Sequence, residues 1–400
     1  MNIATRINSS LDVRDQFPAI ENWHYLDSAA TAQKPQAVID AITTAYARDY
    51  ATVHRGIYQR SSDMTAAYEA ARAGVAGLIG GKTEEIIFTR GATEAINLVA
   101  RVLPKEGRKR VLLSALEHHS NIVPWQLAGY AVDVCPLTAD GRIDLDAAAE
   151  LVSDQHRVVA YAHVSNALGS ILDAKRAAEI AHSKGALLLL DGCQAVPRIP
   201  VDVAAIGCDY YAFSGHKLYG PTGIGCLWGR AELLDAMPPW HGGGAMIENV
   251  TFERTTYAPP PQRFEAGTPH IVGAIGLHAA VQWVEQLSLD AIHAHECALV
   301  VECRAALAAI PGVTLYGPED SAGIVSFNVD GVHAHDVATI LDDAGVAVRA
   351  GHHCAQPLMA VLGVDATARA SFAAHSDSSD IAALVGGIEQ VKRIFRPESK

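Results

Sequence analysis

Basic residues are in short supply. The chain sets 31 lysines and arginines against 44 aspartates and glutamates, a formal net charge of −13 with a pI near 5.7. That balance argues against a nucleic-acid-binding footprint and favours a soluble protein. No apolar stretch approaches the length of a membrane span, and Met1-Asn-Ile-Ala-Thr-Arg6 lacks the apolar core of a secretory signal. The seven cysteines are odd in number and never spaced C-x-x-C, which points to unpaired thiols in a reducing compartment. A cytoplasmic location without membrane attachment is expected. Internal repeats and low-complexity tracts are absent. So is any G-x-S-x-G elbow, which leaves His241-Gly-Gly-Gly244 with no esterase serine to serve.

What is present is ordinary globular composition, half hydrophobic and 19% charged, in a chain long enough for two or three domains. Residues 1–20 read as a short helix and lead. A helix follows over Val38 to Tyr46, and another, alanine-rich, is capped near Ser62-Asp63 and runs to Ile79. Its end, Ala76-Gly-Leu-Ile-Gly-Gly-Lys-Thr83, nearly matches a phosphate loop. Ala76 replaces the first glycine and a helix precedes it, so a helix C-cap and turn is the better reading. Seven strand-like runs then appear: Glu85–Thr89, Arg110–Ser114, Ala131–Leu137, Arg157–Val164, Ala186–Leu190, Asp209–Phe213 and Gly223–Trp228. Helical segments separate most of them, which predicts a largely parallel sheet covered on both faces. A helix from about Val272 to Gln286 closes this large unit. Beyond Leu287 a smaller α/β unit is expected, with a helix to Ile310, strand Gly323–Val329, helix Ala334–Ala344 and strand Val346–Arg349.

The chain is organised around Phe213-Ser-Gly-His-Lys-Leu-Tyr-Gly-Pro-Thr-Gly-Ile-Gly225. Lys217 falls in a glycine-flanked turn past a strand's carboxyl end, where open α/β sheets bind ligands. Its amine suits Schiff-base chemistry, though the local stretch leaves a phosphate-binding or solvated lysine equally open. Leu187-Leu-Leu-Leu-Asp191 decides between them. An apolar strand there delivers a carboxylate 26 residues upstream. Pyridoxal phosphate needs that pair: a lysine for its aldehyde and an acid for its pyridine nitrogen. His118, Asn166, Asp191 and Ser214 with Lys217 all fall just past strand ends, so one edge of the sheet is the expected site.

Other stretches add to it. Arg90-Gly-Ala-Thr-Glu94 lies between strand and helix, so Thr93 and the helix amides suit a phosphate, or Thr93 is simply an N-cap. Glu117-His118-His119 lacks metal-ligand spacing, and a flat imidazole stacked on a flat cofactor, or a structural histidine, suits His118 better. In Arg349-Ala-Gly-His-His-Cys354-Ala-Gln-Pro357 a cysteine precedes a helical run. Charged histidines or helix amides would lower its thiol pKa and make it a nucleophile; a free surface cysteine is the plainer reading. Arg349 and Arg369 flank it, and an arginine fork suits an α-carboxylate.

Taken in order, Asp27-Ser-Ala-Ala30, His54-Arg55-Gly56, Glu117-His118-His119, Asp191-Gly-Cys-Gln194, Ser214-Gly-His-Lys217, Glu265-Ala-Gly-Thr-Pro269 and Arg349 to Cys354 resemble the group II (Suf-type) cysteine desulfurases and related selenocysteine lyases of the aminotransferase class V group. The resemblance implies a fold-type I pyridoxal 5'-phosphate-dependent α/β transferase. It would have a large domain over 21–286 with the mostly parallel seven-stranded sheet, a smaller C-terminal domain over 287–400, and residues 1–20 packing on the latter. Lys217 would be the Schiff-base lysine, Asp191 the partner of the pyridine nitrogen, His118 the catalytic stacking residue and Gln194 the contact to the phenolic oxygen. Thr93, Ser214 and His216 would hold the phosphate, with Gly267 and Thr268 arriving from the second subunit of a homodimer. Asn166, Arg369, Arg349, Ala29, Ala30 and His54 would line the substrate site, and Cys354 would take sulfur as a persulfide. L-cysteine is the implied substrate, with L-selenocysteine as an alternative, and a small sulfur-acceptor protein of the Suf system as partner. Other class V enzymes on this fold, or a non-catalytic sulfur carrier, are the competing readings. The chain departs from the family at Cys193, where alanine or serine is usual, and at His375-Ser-Asp377, where the family commonly has Tyr-Asn-Thr.

Overall fold

The seven strand-like runs all become strands of one sheet, and for all but the edge strand Ala131–Cys135 the reason is burial on both faces. In the computed structural model, which describes residues 11–395, they are β1 (Ile86–Thr89), β2 (Arg110–Ser114), β3 (Ala131–Cys135), β4 (His156–Ala162), β5 (Leu187–Asp191), β6 (Tyr210–Ser214) and β7 (Gly225–Gly229). Every residue of β4 is buried, as expected of a strand covered by helices above and below. The spatial order is β1-β7-β6-β5-β4-β2-β3, and β7 alone runs against the other six. Helices α1 (Gln36–Thr44) and α2 (Gln59–Leu78) pack on α4 (Ile271–Leu287), while α3 (Ala92–Val102) lies on β6 and β7. Helix α2 begins three residues before the expected cap, and its N-cap Tyr58 makes no side-chain cap bond. The phosphate-loop look-alike ends α2 and turns at Gly80 with φ +69.

The smaller unit is a four-stranded antiparallel sheet. Its strands are β8 (Val313–Tyr316), β9 (Ile324–Val329), β10 (Arg349–Gly351) and β11 (Thr367–Ser371), in the order β8-β9-β11-β10. Helices α5 (Leu289–Ala308), α6 (Ala334–Asp343) and α7 (Ser378–Ile394) bury its hydrophobic cluster, which includes Phe327, Phe372, Leu384 and Val391. Two of its strands, β8 and β11, lie outside the sequence expectation. The single strand expected over Val346–Arg349 is split. Val346–Ala347 pairs in parallel with His24–Tyr25, and the chain enters the antiparallel sheet only at Arg349.

The helix expected before residue 20 does not form in the described part. Residues 1–10 lie outside the described residues, and Arg14–Gln16 and Pro18–Ile20 are single tight turns separated by Phe17. Phe17 is buried edge-on against Trp283, 5.4 Å between centroids, so this segment packs on the large core. It also reaches the small one, through Arg14 on Asp380 at 2.9 Å and Leu11 N on His295 at 3.2 Å.

The His375-Ser-Asp377 departure is accommodated by local bonding. Asp377 accepts from Ser379 N at 2.8 Å and forms a reciprocal capping box with Asp380 at the start of α7. Asp377→Ala is expected to cost about 1 kcal/mol, read as a lower melting temperature with turnover unchanged. His375 packs on the Phe17 ring at 5.0 Å, and burial pushes its pKa down to about 3. Among the described residues, no helix is long and apolar enough to cross a membrane.

Candidate active site

A cavity of about 170 Å³ opens where the carboxyl ends of β2, β4, β5 and β6 meet the small sheet. Lys217, Asp191, His118, Gln194, Asn166, Thr93, Ser214, His216, Ala29, Ala30, Arg349, Arg369 and Cys354 all line it. Thirteen expected residues are thus brought together. Three are not: His54, Gly267 and Thr268 lie away from the cavity of their own chain. His54 Nε2 is held by Glu69 at 2.9 Å, and Thr268 borders a neighbouring recess with Trp240, His241 and Glu265.

One end of the cavity is built to hold an anion. Gly91, at φ +155, precedes α3, and a Cβ on Gly225 would lie 2.6 Å from Phe213 O and 2.9 Å from Gly91 N. Glycine at 225 therefore lets the α3 entry press against β7. The N-cap of α3 is Gly91 and not Thr93. Thr93 is freed from that role and its hydroxyl meets Ser120 Oγ at 2.7 Å, while Ala92 N donates to Ser214 Oγ at 2.9 Å. Three hydroxyls and a helix amino end converge there. His216 sits beside them, with Nδ1 against Thr31 Oγ1 at 3.1 Å. Burial, then the charges of Lys217 and Lys34, push its pKa down to about 4. Its ring is therefore neutral near pH 7.

The middle holds the amine and the acid. Lys217 ends the single turn Gly215–Lys217 directly after β6. The carbonyl of His216 anchors that turn, accepting from Ala32 N at 3.0 Å and Lys34 Nζ at 3.2 Å. Asp191 ends β5 between Ala162 and Ala212, and its Oδ1 accepts from Cys193 N at 3.0 Å. The Cys193 thiol is buried 3.8 Å from Ser214 Oγ. Burial pushes its pKa up to about 12, so it packs as a neutral wall. His118 Nδ1 accepts from Ser120 N at 3.0 Å. Burial and the Lys217 charge lower its pKa to about 4, which places the proton of the neutral ring on Nε2.

The far end comes from the small sheet. Arg349 and Arg369 are register partners on β10 and β11. Arg369 is 1% exposed, donates to Asn166 O at 2.6 Å and Asp27 Oδ1 at 2.9 Å, and keeps a buried Nε with no partner. Burial lowers its pKa to about 10, so it stays cationic near neutrality. A buried guanidinium with a spare N–H suits a carboxylate ligand. Arg349 NH2 lies 3.8 Å from Cys354 Sγ. His353 and Cys354 both adopt left-handed backbone, φ +53 and +55, in a bend held by Asn166 Nδ2 on His353 O at 2.6 Å and His119 N on Cys354 O at 2.7 Å. The source of positive charge differs from the sequence expectation at one position. Burial and the two arginines push His353 down to about 2, so it is neutral, and Arg349 supplies the cation beside the thiol.

Sequence reasoning gave Ser120 no role and took Glu117 and His353 only as parts of their motifs. Ser120 and His353 line the cavity, and Ser120 stands two residues from His118. Glu117 is buried behind His118. It accepts from Ser114 Oγ, Asn121 Nδ2 at 2.7 Å and Ala162 N at 3.1 Å, which ties the turn after β2 to the end of β4. Burial raises its pKa to about 7 against those bonds. A charged residue wedged between apolar Leu116 and a site histidine was the available signal.

An amine, a carboxylate and an anion cradle in one cavity, with a carboxylate-binding arginine and a thiol opposite, fit pyridoxal phosphate and a bound amino acid. Known proteins agree. Residues 24–384 match the family described as aminotransferase class-V. A cysteine desulfurase of Dickeya dadantii (strain 3937) is 48% identical over 398 residues, covering 96% of this chain and 97% of its own. The solved cysteine desulfurase CsdA of Escherichia coli, in an S-sulfonic acid form, is 42% identical with a TM-score of 0.90, covering 95% of this chain and 98% of its own. The apo cysteine desulfurase of Thermococcus onnurineus NA1 is 39% identical with a TM-score of 0.92, over 96% and 98% of the two chains.

Proposed function

The chain belongs to the aminotransferase class-V family, and from that premise we propose how its cavity removes sulfur from L-cysteine to give L-alanine and a persulfide on Cys354. It is a pyridoxal-phosphate-dependent cysteine desulfurase of fold type I. The observation that carries the reading is one cavity in which Lys217 and Asp191 face Cys354, whose thiol has a guanidinium 3.8 Å away.

Lys217 would hold the cofactor aldehyde, Asp191 would keep its ring nitrogen protonated, and Gln194 would meet its ring oxygen. Thr93, Ser214 and His216 would hold its phosphate. When bound, pyridoxal phosphate supplies an electron sink for bonds broken at the substrate's Cα. Arg369 and Asn166 would seat the substrate carboxylate, with Arg349 beside the thiol. The Lys217 amine, once free, would take the Cα proton and return it to Cα before alanine leaves. Cys354, as thiolate, forms a bond to the substrate sulfur; the C–S bond breaks and its electron pair stays with the substrate carbon. That carbon needs a proton to become the methyl of alanine, and His118 Nε2 carries one. Arg349 places a positive charge 3.8 Å from the attacking sulfur.

His54, Gly267 and Thr268 lie outside their own chain's cavity, which supports a homodimer in which they complete the partner's site. A small sulfur-acceptor protein of the Suf system would take the persulfide, L-selenocysteine is an alternative substrate, and the setting is cytoplasmic.

Anaerobic incubation of the cofactor-loaded protein with L-cysteine and a reductant tests the reading. Alanine and sulfide are expected in equal amounts. Pyruvate and ammonia in place of alanine, with sulfide still released, would mark a β-elimination lyase. Asp191→Asn is expected to bind the cofactor and lose about two to three orders of magnitude in turnover, because the charge that holds the ring proton is gone. Near-normal turnover would mean that another acid fills the role.

A further inference from the structure

Gln194 lines the cavity, yet most of its amide is already committed. One N–H donates to Ala29 O at 2.7 Å, and Oε1 accepts from Arg198 Nε at 3.4 Å. A flipped amide would set Oε1 against the Ala29 carbonyl and an N–H against the guanidinium. The remaining N–H is the polar group left for a ligand.

Arg198 is itself fixed. It is 2% exposed, donates to Phe372 O at 3.0 Å, and is paired with Glu296 of α5, 1% exposed. Gly323, at φ +63, is needed beside them, since a Cβ there would overlap both Arg198 NH1 and Glu296 Oε2. A chain of contacts thus runs from a helix of the small unit, through a buried ion pair, to the amide in the cavity. Neither charged residue lines the cavity. A buried pair of this kind gives little net stability over apolar residues of similar size, but it fixes geometry well.

We infer that Arg198 and Glu296 are a positioning pair, which holds Gln194 so that its free N–H donates to the ring oxygen of bound pyridoxal phosphate. This rests on the function proposed above. An N–H given to that anionic oxygen weakens the oxygen's hold on the proton of the nitrogen shared with Lys217. The shared nitrogen therefore loses its proton at lower pH, and releasing the amide raises that pH.

The test is a pH titration of the cofactor's absorption band in the loaded protein. Arg198→Met with Glu296→Leu removes both charges together, so net charge is unchanged and no buried ion is stranded. The half-titration point is expected to rise by about 0.5 to 1 pH unit. Gln194→Leu alone should give a rise of the same size, and adding it to the double variant should give nothing further. A wild-type titration in the double variant, or additive shifts, would overturn the inference. Should the double variant melt too low to titrate, Arg198→Lys keeps the ion pair but loses the planar fork. It should shift the curve in the same direction, and an unmoved curve there would be equally fatal. A wild-type protein that takes up no pyridoxal phosphate would overturn the functional reading itself, and the inference with it.

Discussion

Lys217→Ala is expected to abolish turnover in a protein that still folds. The substitution leaves the turn intact, because its anchors are the backbone of Gly215 and the carbonyl of His216, held from Ala32 and Lys34. The aliphatic stem borders a cavity, so no packed core is emptied. Two functions disappear together. The cofactor loses its covalent tether, so borohydride should no longer fix it to the chain. The Cα proton loses its acceptor, and general-base catalysis alone contributes about 10² to 10⁴ in rate. Turnover of L-cysteine should fall by at least about 10³-fold, with a melting curve close to that of the wild type. Retention of a tenth of the activity would move the tether elsewhere.

The second expectation separates the sulfur step from everything before it. Cys354→Ala should still take up the cofactor and change its absorption when L-cysteine is added, since Lys217, Asp191 and Arg369 are untouched. Sulfide release should nonetheless stop, because nothing remains to attack the substrate sulfur. A C–Se bond is weaker and selenium leaves more readily, so the same variant should keep much of any activity on L-selenocysteine. Mass spectrometry should find one added sulfur on Cys354 in the wild type. Among the other cysteines, 135, 193, 208, 226 and 303 are buried and only Cys297 is partly open, so modification there should be absent or minor. Sulfide release by Cys354→Ala at the wild-type rate would replace the persulfide route with β-elimination.

The large sheet is legible in the sequence for a physical reason. Six of its seven strands are covered on both faces, so they read as short apolar runs bounded by turn residues, and only the edge strand β3 is partly exposed. The small sheet is only half legible. Strand β8 is partly exposed along its length. Strand β11, Thr-Ala-Arg-Ala-Ser, has no apolar run at all, yet all of it is buried, paired on both edges and packed against α6. The site follows the same division. Lys217, Asp191 and His118 stand at strand ends and can be read locally. Glu117, Ser120 and the Arg198–Glu296 pair matter through contacts between distant segments, which no local pattern encodes. The N-cap at Thr93 and the charge on the histidine before Cys354 were chemically reasonable, and were displaced by a glycine entry and by burial.

Arg349 and Arg369 sit side by side on two strands of the small sheet, while Lys217 and Asp191 belong to the large one. An amino acid gripped at both ends is therefore a cross-link between two separately cored bodies. Its binding free energy becomes cohesion between them, and by linkage the docked arrangement gains weight as free ligand rises above its dissociation constant. Substrate occupancy and the mutual docking of the two bodies are in this sense one equilibrium. A carboxylate-bearing analogue that lacks sulfur would bias it as well as cysteine does, without ever reaching the chemistry.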